Sequence, residues 1–439
     1  MTRPILLTMA AAGILAAGQD DSFLIRGATI HPVSGPAVEN ASLLVLDGKI
    51  AEIGLKIQNK AAQGKNKIRI VEAKGLHVYP GFIDSGSPVG LQEVSSVRET
   101  IDTGELGMFN PQLKAISAVN PESEHIPVIR GNGTTMVQIL PGVAGGQGQT
   151  GIIGGQASII RLSGYTWEEM LAVPYTALQA VWPVPSQGGR GGFDPSMLVP
   201  GARRQSSFSQ ANRAKEENIQ KLTEFIEQAR RYQAAKKAGP VPADRKFEAM
   251  LPVLEGVKPL LVEAARERAI REAVEWSEKQ KIRIILTGVT RPGKMIEELG
   301  KKRIPVILGS PYSIRMEEDD PYDDPFTLPA RLHQAGVEFA FASFGLQFAR
   351  NLPFQAGQAV AFGLPYDAAL KSITMTPARI WGLADSHGSI EPGKVADLIL
   401  TDGDPLEPRS SVKMMFIQGR EVDLESRHTR LYRKYMDRP

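Results

Sequence analysis

The sequence predicts an α/β protein: a (β/α)8 barrel of the TIM type with a small β-sandwich assembled from both chain ends. Three observations carry that prediction. Residues 22–79 and 388–425 read as short β-strands broken by Gly, Asn and Asp turns. Between them, apolar runs of four to six residues alternate with amphipathic helical stretches over about 300 residues. Alternation of that length suits eight parallel strands, each followed by a helix.

The elements follow in chain order. Arg3 and the apolar run from Pro4 to Ala17, ending in small residues at Ala16, Ala17 and Gly18, form the pattern of a secretory signal peptide over residues 1–18. The run is shorter than the roughly 20 residues a bilayer span needs, so no transmembrane segment is expected. The chain is expected to be exported, to the periplasm. Residues 19–79 make the first half of the sandwich, from SFLIRGATIHPV, ASLLVLDGKIAEIG and KIRIVEAKGLHVYP, with Asp47-Gly48 as a hairpin turn.

Residues 80–387 make the barrel. Its strands come from runs such as TTMVQIL, ASIIRL, PLLVEA, IRIILTG, IPVILGS and EFAFASF, and its helices from AARERAIREAVEWSEKQK and PGKMIEELGKKR. An irregular insertion at about 183–209 leads into a helix from about Gln210 to Lys237, where Ile219, Leu222, Ile226, Ala229 and Tyr232 keep helical spacing. Residues 388–425 supply the second half of the sandwich. The basic tail 426–439, with Arg427, Arg430, Arg433, Lys434 and Arg438, reads as a solvated helix or loose end rather than a nucleic-acid arm.

Composition narrows the chemistry. The 439 residues are 42% hydrophobic and 23% charged, typical of a packed globular protein, and the formal net charge of +3 does not advertise nucleic acid as a partner. With no cysteine there are no disulfides, zinc-thiolate sites, iron–sulfur clusters or thiol nucleophiles. Metal or acid–base work by imidazole is left to His31, His77, His125, His333, His387 and His428, none of which stand in H-x-H, H-x-x-H or H-x-x-x-H spacing. Gly146, Gly148 and Gly151 satisfy G-x-G-x-x-G after the strand MVQIL. No helix opens at the third glycine, so the helix N-terminus that holds pyrophosphate is missing.

Three further passages carry a resemblance: Val78-Tyr79-Pro80-Gly81-Phe82-Ile83-Asp84; Ile373-Thr374-Met375-Thr376-Pro377-Ala378 followed by Trp381-Gly382-Leu383; and Gly388-Ser389-Ile390-Glu391-Pro392-Gly393-Lys394-Val395-Ala396-Asp397-Leu398-Ile399 followed by Asp402-Gly403-Asp404-Pro405-Leu406. Together they resemble the amidohydrolase superfamily, in particular its imidazolonepropionase-like branch, across nearly all of the mature chain. The resemblance implies hydrolysis of C–N bonds in cyclic or other non-peptide amides. It also implies one or two divalent metals, typically zinc, at the C-terminal ends of the barrel strands. The implied ligands are an H-x-H pair on the first strand, histidines on the fifth and sixth, and an aspartate on the eighth. A metal of this kind lowers the pKa of a bound water, and the aspartate handles its proton.

The chain departs from that pattern at every position. Ser85-Gly86-Ser87 follows Asp84 in place of H-x-H, Glu263 stands at the fifth-strand position, Ile282 to Gly288 contains no histidine, and Ser343 or Phe344 falls where the aspartate belongs. Serine hydroxyls are poor zinc ligands. The expectation is therefore no metal cofactor, a protein inactive at the usual centre, and a role as non-catalytic partner of an active relative or as a homo-oligomer. Two alternatives stand beside it. One is an active amidohydrolase on a cyclic amide or N-acyl substrate with an atypical metal or none, with Asp84 and Glu263 as candidate catalytic groups. The other is a small-molecule-binding protein whose barrel mouth is lined by Ser85, Ser87, Glu93, Glu263 and Ser343.

Overall fold

A computed structural model describes residues 21–57, 68–142, 151–185, 208–312 and 321–438. The signal-peptide segment, glycines 146 and 148 of the glycine-rich motif and most of the 183–209 insertion lie outside the described residues. The first strands are β1 (Phe23–Ile30), β2 (Val38–Leu46), β3 (Lys49–Gly54), β4 (Arg69–Glu72), β5 (His77–Pro80) and β6 (Phe82–Ser87). There follow α1 (His125–Arg130), β7 (Thr134–Ile139), β8 (Ile153–Gln156), β9 (Ser158–Arg161), α2 (Trp167–Met170), β10 (Leu171–Val173) and β11 (Leu178–Val181). The middle runs α3 (Phe208–Ala238), α4 (Arg245–Leu254), β12 (Leu260–Glu263), α5 (Glu267–Gln280), β13 (Ile284–Thr287), α6 (Met295–Lys302), β14 (Val306–Leu308), α7 (Asp324–Gln334) and β15 (Phe339–Phe341). The chain closes with α8 (Leu352–Ala361), α9 (Tyr366–Ser372), α10 (Met375–Ile380), β16 (Leu398–Thr401), β17 (Val412–Ile417), β18 (Arg420–Glu421) and α11 (Arg427–Met436). Among the described residues no helix is long and apolar enough to cross a membrane.

The two chain ends meet, but not as two stacked sheets. Antiparallel pairing of β5 with β16, from Pro80↔Leu398 to His77↔Thr401, joins them into one eight-stranded sheet ordered β18-β17-β16-β5-β1-β2-β3, with β4 beside β1. The sheet curls until its hairpins touch. Asp47-Gly48 and Gln418-Gly419 are both two-residue turns with positive φ throughout, the geometry that matches strand twist. Gly48 and Gly419 press on each other: a Cβ built on Gly419 would lie 2.6 Å from the Gly48 Cα, closer than any side chain tolerates. Ile50 N–H donates to the Lys394 carbonyl at 2.8 Å and Ala396 N–H to the Gly48 carbonyl at 2.9 Å, which closes the curl. Phe23, Ile25, Leu43, Val78, Leu398 and Phe416 fill it, with the Phe23 and Phe416 rings stacked 4.2 Å apart. One curled sheet buries the same apolar faces as a sandwich would, which is why alternation alone did not separate the two.

The central region bears out the expected barrel-type α/β layout in part. Among the described residues its strands do not hydrogen-bond into one ring of eight parallel strands. They form a four-stranded sheet, β10-β9-β7-β6, and a six-stranded sheet, β15-β14-β13-β12-β11-β8. The run β11 to β15 is parallel with intervening helices, as predicted. Residues 153–173 instead cross back antiparallel, β8 against β11 and β9 against β7. A single residue, Ala157, separates β8 from β9 and donates its N–H to Ala177, so the chain passes from one sheet to the other at that kink. At the opposite seam, between β6 and β15, the Asp84 carboxylate and one bond from Phe344 N–H to the Gly86 carbonyl replace a ladder.

Period-two alternation sorts the side chains of both sheets. Ile83, Met136, Ile159, Ala177, Leu261, Ile285, Ile307 and Ala340 pack together on the inner face. Their neighbours Phe82, Val137, Ile160, Leu178, Val262, Leu286, Val306 and Phe341 pack outward in the larger core with the helices.

Candidate functional site

The inner face changes character toward the C-terminal strand ends. Two residues past Ile83, Met136, Ala177, Leu261 and Ile285, the same alternation brings Ser85, Gln138, Gln179, Glu263 and Thr287 onto that face. The register across the parallel strands places Glu263 of β12 beside Thr287 of β13. Gln138, Gln179 and Thr287 were not singled out from sequence. Their signal was a lone polar residue near the end of an otherwise apolar strand run, in MVQIL, ALQAV and IILTG.

Ser85, Gln138, Gln179 and Thr287 are buried, and the last three carry polar atoms without partners among the described residues. Gln138 is fully buried, and neither atom of its amide has a hydrogen-bond partner among the described residues. The Gln179 Oε1, Thr287 Oγ1 and Ser87 Oγ atoms are orphaned in the same way. A buried polar group without a partner costs roughly 1–3 kcal/mol, so this concentration calls for a function or a guest. Ser85 is satisfied: its hydroxyl accepts the Trp381 indole N–H at 3.2 Å, which gives the first residue of the Trp381-Gly382-Leu383 motif a partner at the strand end.

Asp84 and Ser343 do meet, at the seam. One carboxylate oxygen of Asp84 accepts the Gly86 N–H at 3.1 Å and the Ser343 N–H at 3.0 Å, while the other has no partner. Burial pushes the Asp84 carboxyl up to about 6, against the lowering effect of the Ser343 and Gly86 bonds. Phe344 follows in the left-handed region at φ 46°. Its ring lies so close to Gly86 that a Cβ there would come within 2.9 Å of it. Aromatic carbon thus abuts the segment where the family carries its first metal ligands.

Glu93 does not belong to this site. Its carboxylate accepts hydrogen bonds from Asn120 at 3.1 Å and Ser123 at 3.0 Å, and its carbonyl oxygen lies 2.9 Å from His125 Nε2. It organises a loop cluster in which residues 27 to 32 positions apart converge, contacts that strand spacing could not foretell.

The histidines lie away from the inner face. His31 Nε2 and His77 Nδ1 approach to 3.0 Å, and the His31 ring stacks on Tyr79 at 4.2 Å. Burial, with His77 beside it, pushes the His31 imidazole down to about 4. His387 is buried, its Nε2 3.6 Å from an Asp397 carboxylate oxygen, and burial lowers its pKa. His333 is exposed on α7, and His428 sits on α11 with its Nδ1 3.4 Å from Arg350. Among the described residues no three His, Asp or Glu side chains converge as a metal-binding group. The inner face offers hydroxyls, two amides and one carboxylate, a donor set that does not fit a hydrolytic zinc centre built on imidazole.

Comparison with known proteins finds relatives of this fold. The amidohydrolase family model matches residues 280–422. An amidohydrolase from Thermotoga maritima has a similar structure at a TM-score of 0.75 and 27% identity, covering 91% of this chain and 99% of that one. Molinate hydrolase is similar at a TM-score of 0.52 and 17% identity over 93% of this chain and 96% of that one. These findings support the amidohydrolase superfamily and a hydrolase-like protein. The chain is also 24% identical to the amidohydrolase tasK of Hapsidospora irregularis over 90% of its own length. It spans 42% of that longer protein.

Proposed function

We propose that this chain is a non-catalytic member of the amidohydrolase superfamily, of its imidazolonepropionase-like branch, that acts beside a histidine-bearing relative in an exported compartment. One observation carries the reading. The strand ends that bear the family's metal ligands present Ser85, Glu263 and Thr287, with Gln138 and Gln179 between them. The family's zinc-activated water rests on imidazole ligands, and this face supplies none among the described residues. The chain-end motifs support the branch, and Arg3 with the apolar run Pro4 to Ala17 supports export.

The orphaned amide of Gln138 and the orphaned Oε1 of Gln179 favour a second use of the same face, which is to hold a small neutral polar ligand. A primary amide offers one acceptor and two donor hydrogens, so each can pair with a guest that itself carries both.

Protein purified with added zinc, manganese or cobalt is expected to hold far less than one metal per chain. Hydrolysis of N-acyl amino acids and cyclic amides is expected to be unchanged by metal. Native mass spectrometry of that preparation reads metal and small ligand together. One metal per chain, accompanied by metal-dependent turnover, would overturn the reading. Isolation from the exported fraction of the native host tests the rest: the chain should begin beyond residue 18 and bring down a relative carrying the H-x-H pair. Recovery of the homomer alone, or of a chain retaining Met1, counts against it.

A further inference from the structure

Helix α11 presents an apolar side that the described structure leaves largely exposed. None of its residues is buried, although Leu431, Tyr432, Tyr435 and Met436 are large and apolar, with exposures of 38%, 66%, 51% and 65%. At 3.6 residues per turn these four fall within an arc of about 140°. Arg427, Arg430, Arg433 and Lys434 occupy the remaining sides, and Arg438 lies beyond the last turn over the Tyr435 ring, 4.7 Å from its centroid. The contacts that tie the helix to the body are polar. Arg430 reaches Glu124 at 3.4 Å, Arg433 reaches Glu425 at 2.7 Å, and His428 meets Arg350. An ordinary surface helix turns its apolar stripe to the core; this one leaves it in solvent. A ten-residue helix is also marginal in water by itself, so a surface receiving the apolar arc would account for its helicity.

We propose that α11 seats the protein on an anionic lipid surface, with the arc of Leu431, Tyr432, Tyr435 and Met436 at headgroup depth and Arg427, Lys434 and Arg438 against lipid phosphates. Charge is the first support. Arg430 and Arg433 are matched to Glu124 and Glu425, whereas Arg427, Lys434 and Arg438 have no carboxylate partner among the described residues and flank the arc on its Leu431 side. Side-chain chemistry is the second. Tyrosine, with an apolar ring and a polar tip, suits the membrane interface, and a basic amphipathic helix binds there through buried area plus attraction to anionic lipid. Area is the third. The four side chains offer on the order of 400 Å², about half of the roughly 800 Å² each partner buries in a standard protein interface. The arc alone is therefore too small to hold a second copy, while lipid association adds electrostatic attraction to modest burial.

Sedimentation of the full chain with vesicles tests this. Binding is expected to phosphatidylcholine vesicles containing phosphatidylglycerol, to weaken with salt, and to be slight on phosphatidylcholine alone. The triple variant Arg427→Gln, Lys434→Gln, Arg438→Gln is expected to lose on the order of a hundredfold in partitioning, at about fivefold per cation. The triple variant Tyr432→Ser, Tyr435→Ser, Met436→Ser is expected to lose at least about tenfold. Both should unfold at the parent's temperature, because the altered side chains are exposed. The proposal fails if vesicles containing phosphatidylglycerol are not bound. It fails equally if binding persists in both variants, as adsorption through residues 4–17 would give. A dimer in solution that the Tyr432, Tyr435 and Met436 substitutions break would assign the arc to a second copy and overturn it as well.

Discussion

Asp84→Asn is expected to make the protein more stable than the parent above about pH 6, and Asp84→Ala to make it less stable at every pH. The carboxyl is fully buried and titrates near 6 in the folded chain, against an ordinary value of 3.8. Between those values the folded state holds a proton that the unfolded state has released, so stability falls as pH rises through the window. Above it the cost of ionising the buried group is complete, about 3 kcal/mol for a displacement of this size. Asparagine keeps an oxygen to accept the Gly86 and Ser343 N–H bonds and carries no charge to bury. Alanine strands both donors and opens a cavity, at a cost of roughly 3–5 kcal/mol. Denaturant midpoints measured from about pH 4 to 8 decide the matter: parallel profiles for parent and Asp84→Asn would remove the burial account of this group.

Asp397→Ala is expected to loosen the whole C-terminal half of the curled sheet, by roughly 2–4 kcal/mol. Asp397 belongs to the Gly393-Lys394-Val395-Ala396-Asp397 motif and is 5% exposed. Its carboxylate accepts the Gln418 N–H at 2.7 Å, which pins the second hairpin turn where it meets Gly48. Burial raises its pKa, opposed first by His387 and less by that bond and Arg161. Removing the side chain leaves the turn amide unpaired and the buried His387 without its neighbour. Asp397→Asn, which keeps the acceptor, should recover most of the loss. Limited proteolysis reads the effect locally, with cleavage after about residue 388 faster in Asp397→Ala. Equal rates in the two variants would show that the bond to Gln418 is not what holds the hairpin.

Much of the fold was legible because its determinants are local. Asp47-Gly48 between apolar runs specifies a tight turn through the φ values those residues accept. Helical spacing from Ile219 to Tyr232 anticipated α3, and the parallel run from β11 to β15 followed from apolar runs between amphipathic helices. The candidate site was legible only in part. The strand-end positions of Ser85 and Glu263 were implied by the family resemblance, and Glu93 was grouped with them on strand assignment alone, which its bonds to Asn120 and Ser123 do not bear out. The amides of Gln138 and Gln179 read as ordinary strand residues until their neighbours were known.

The amino-acid sequence by itself determined the alternation of strands and helices through the parallel run, the hairpin turns and the absence of thiols. Tertiary structure decided that the chain ends share one curled sheet, that the central strands split into two sheets at Ala157, and that Asp84 and Ser343, 259 residues apart, meet at the seam. The physical reason is range. Backbone preference and periodicity act over a few residues and are written locally. Register between distant strands depends on how whole faces pack, and a shift of one residue would turn every inner side chain outward.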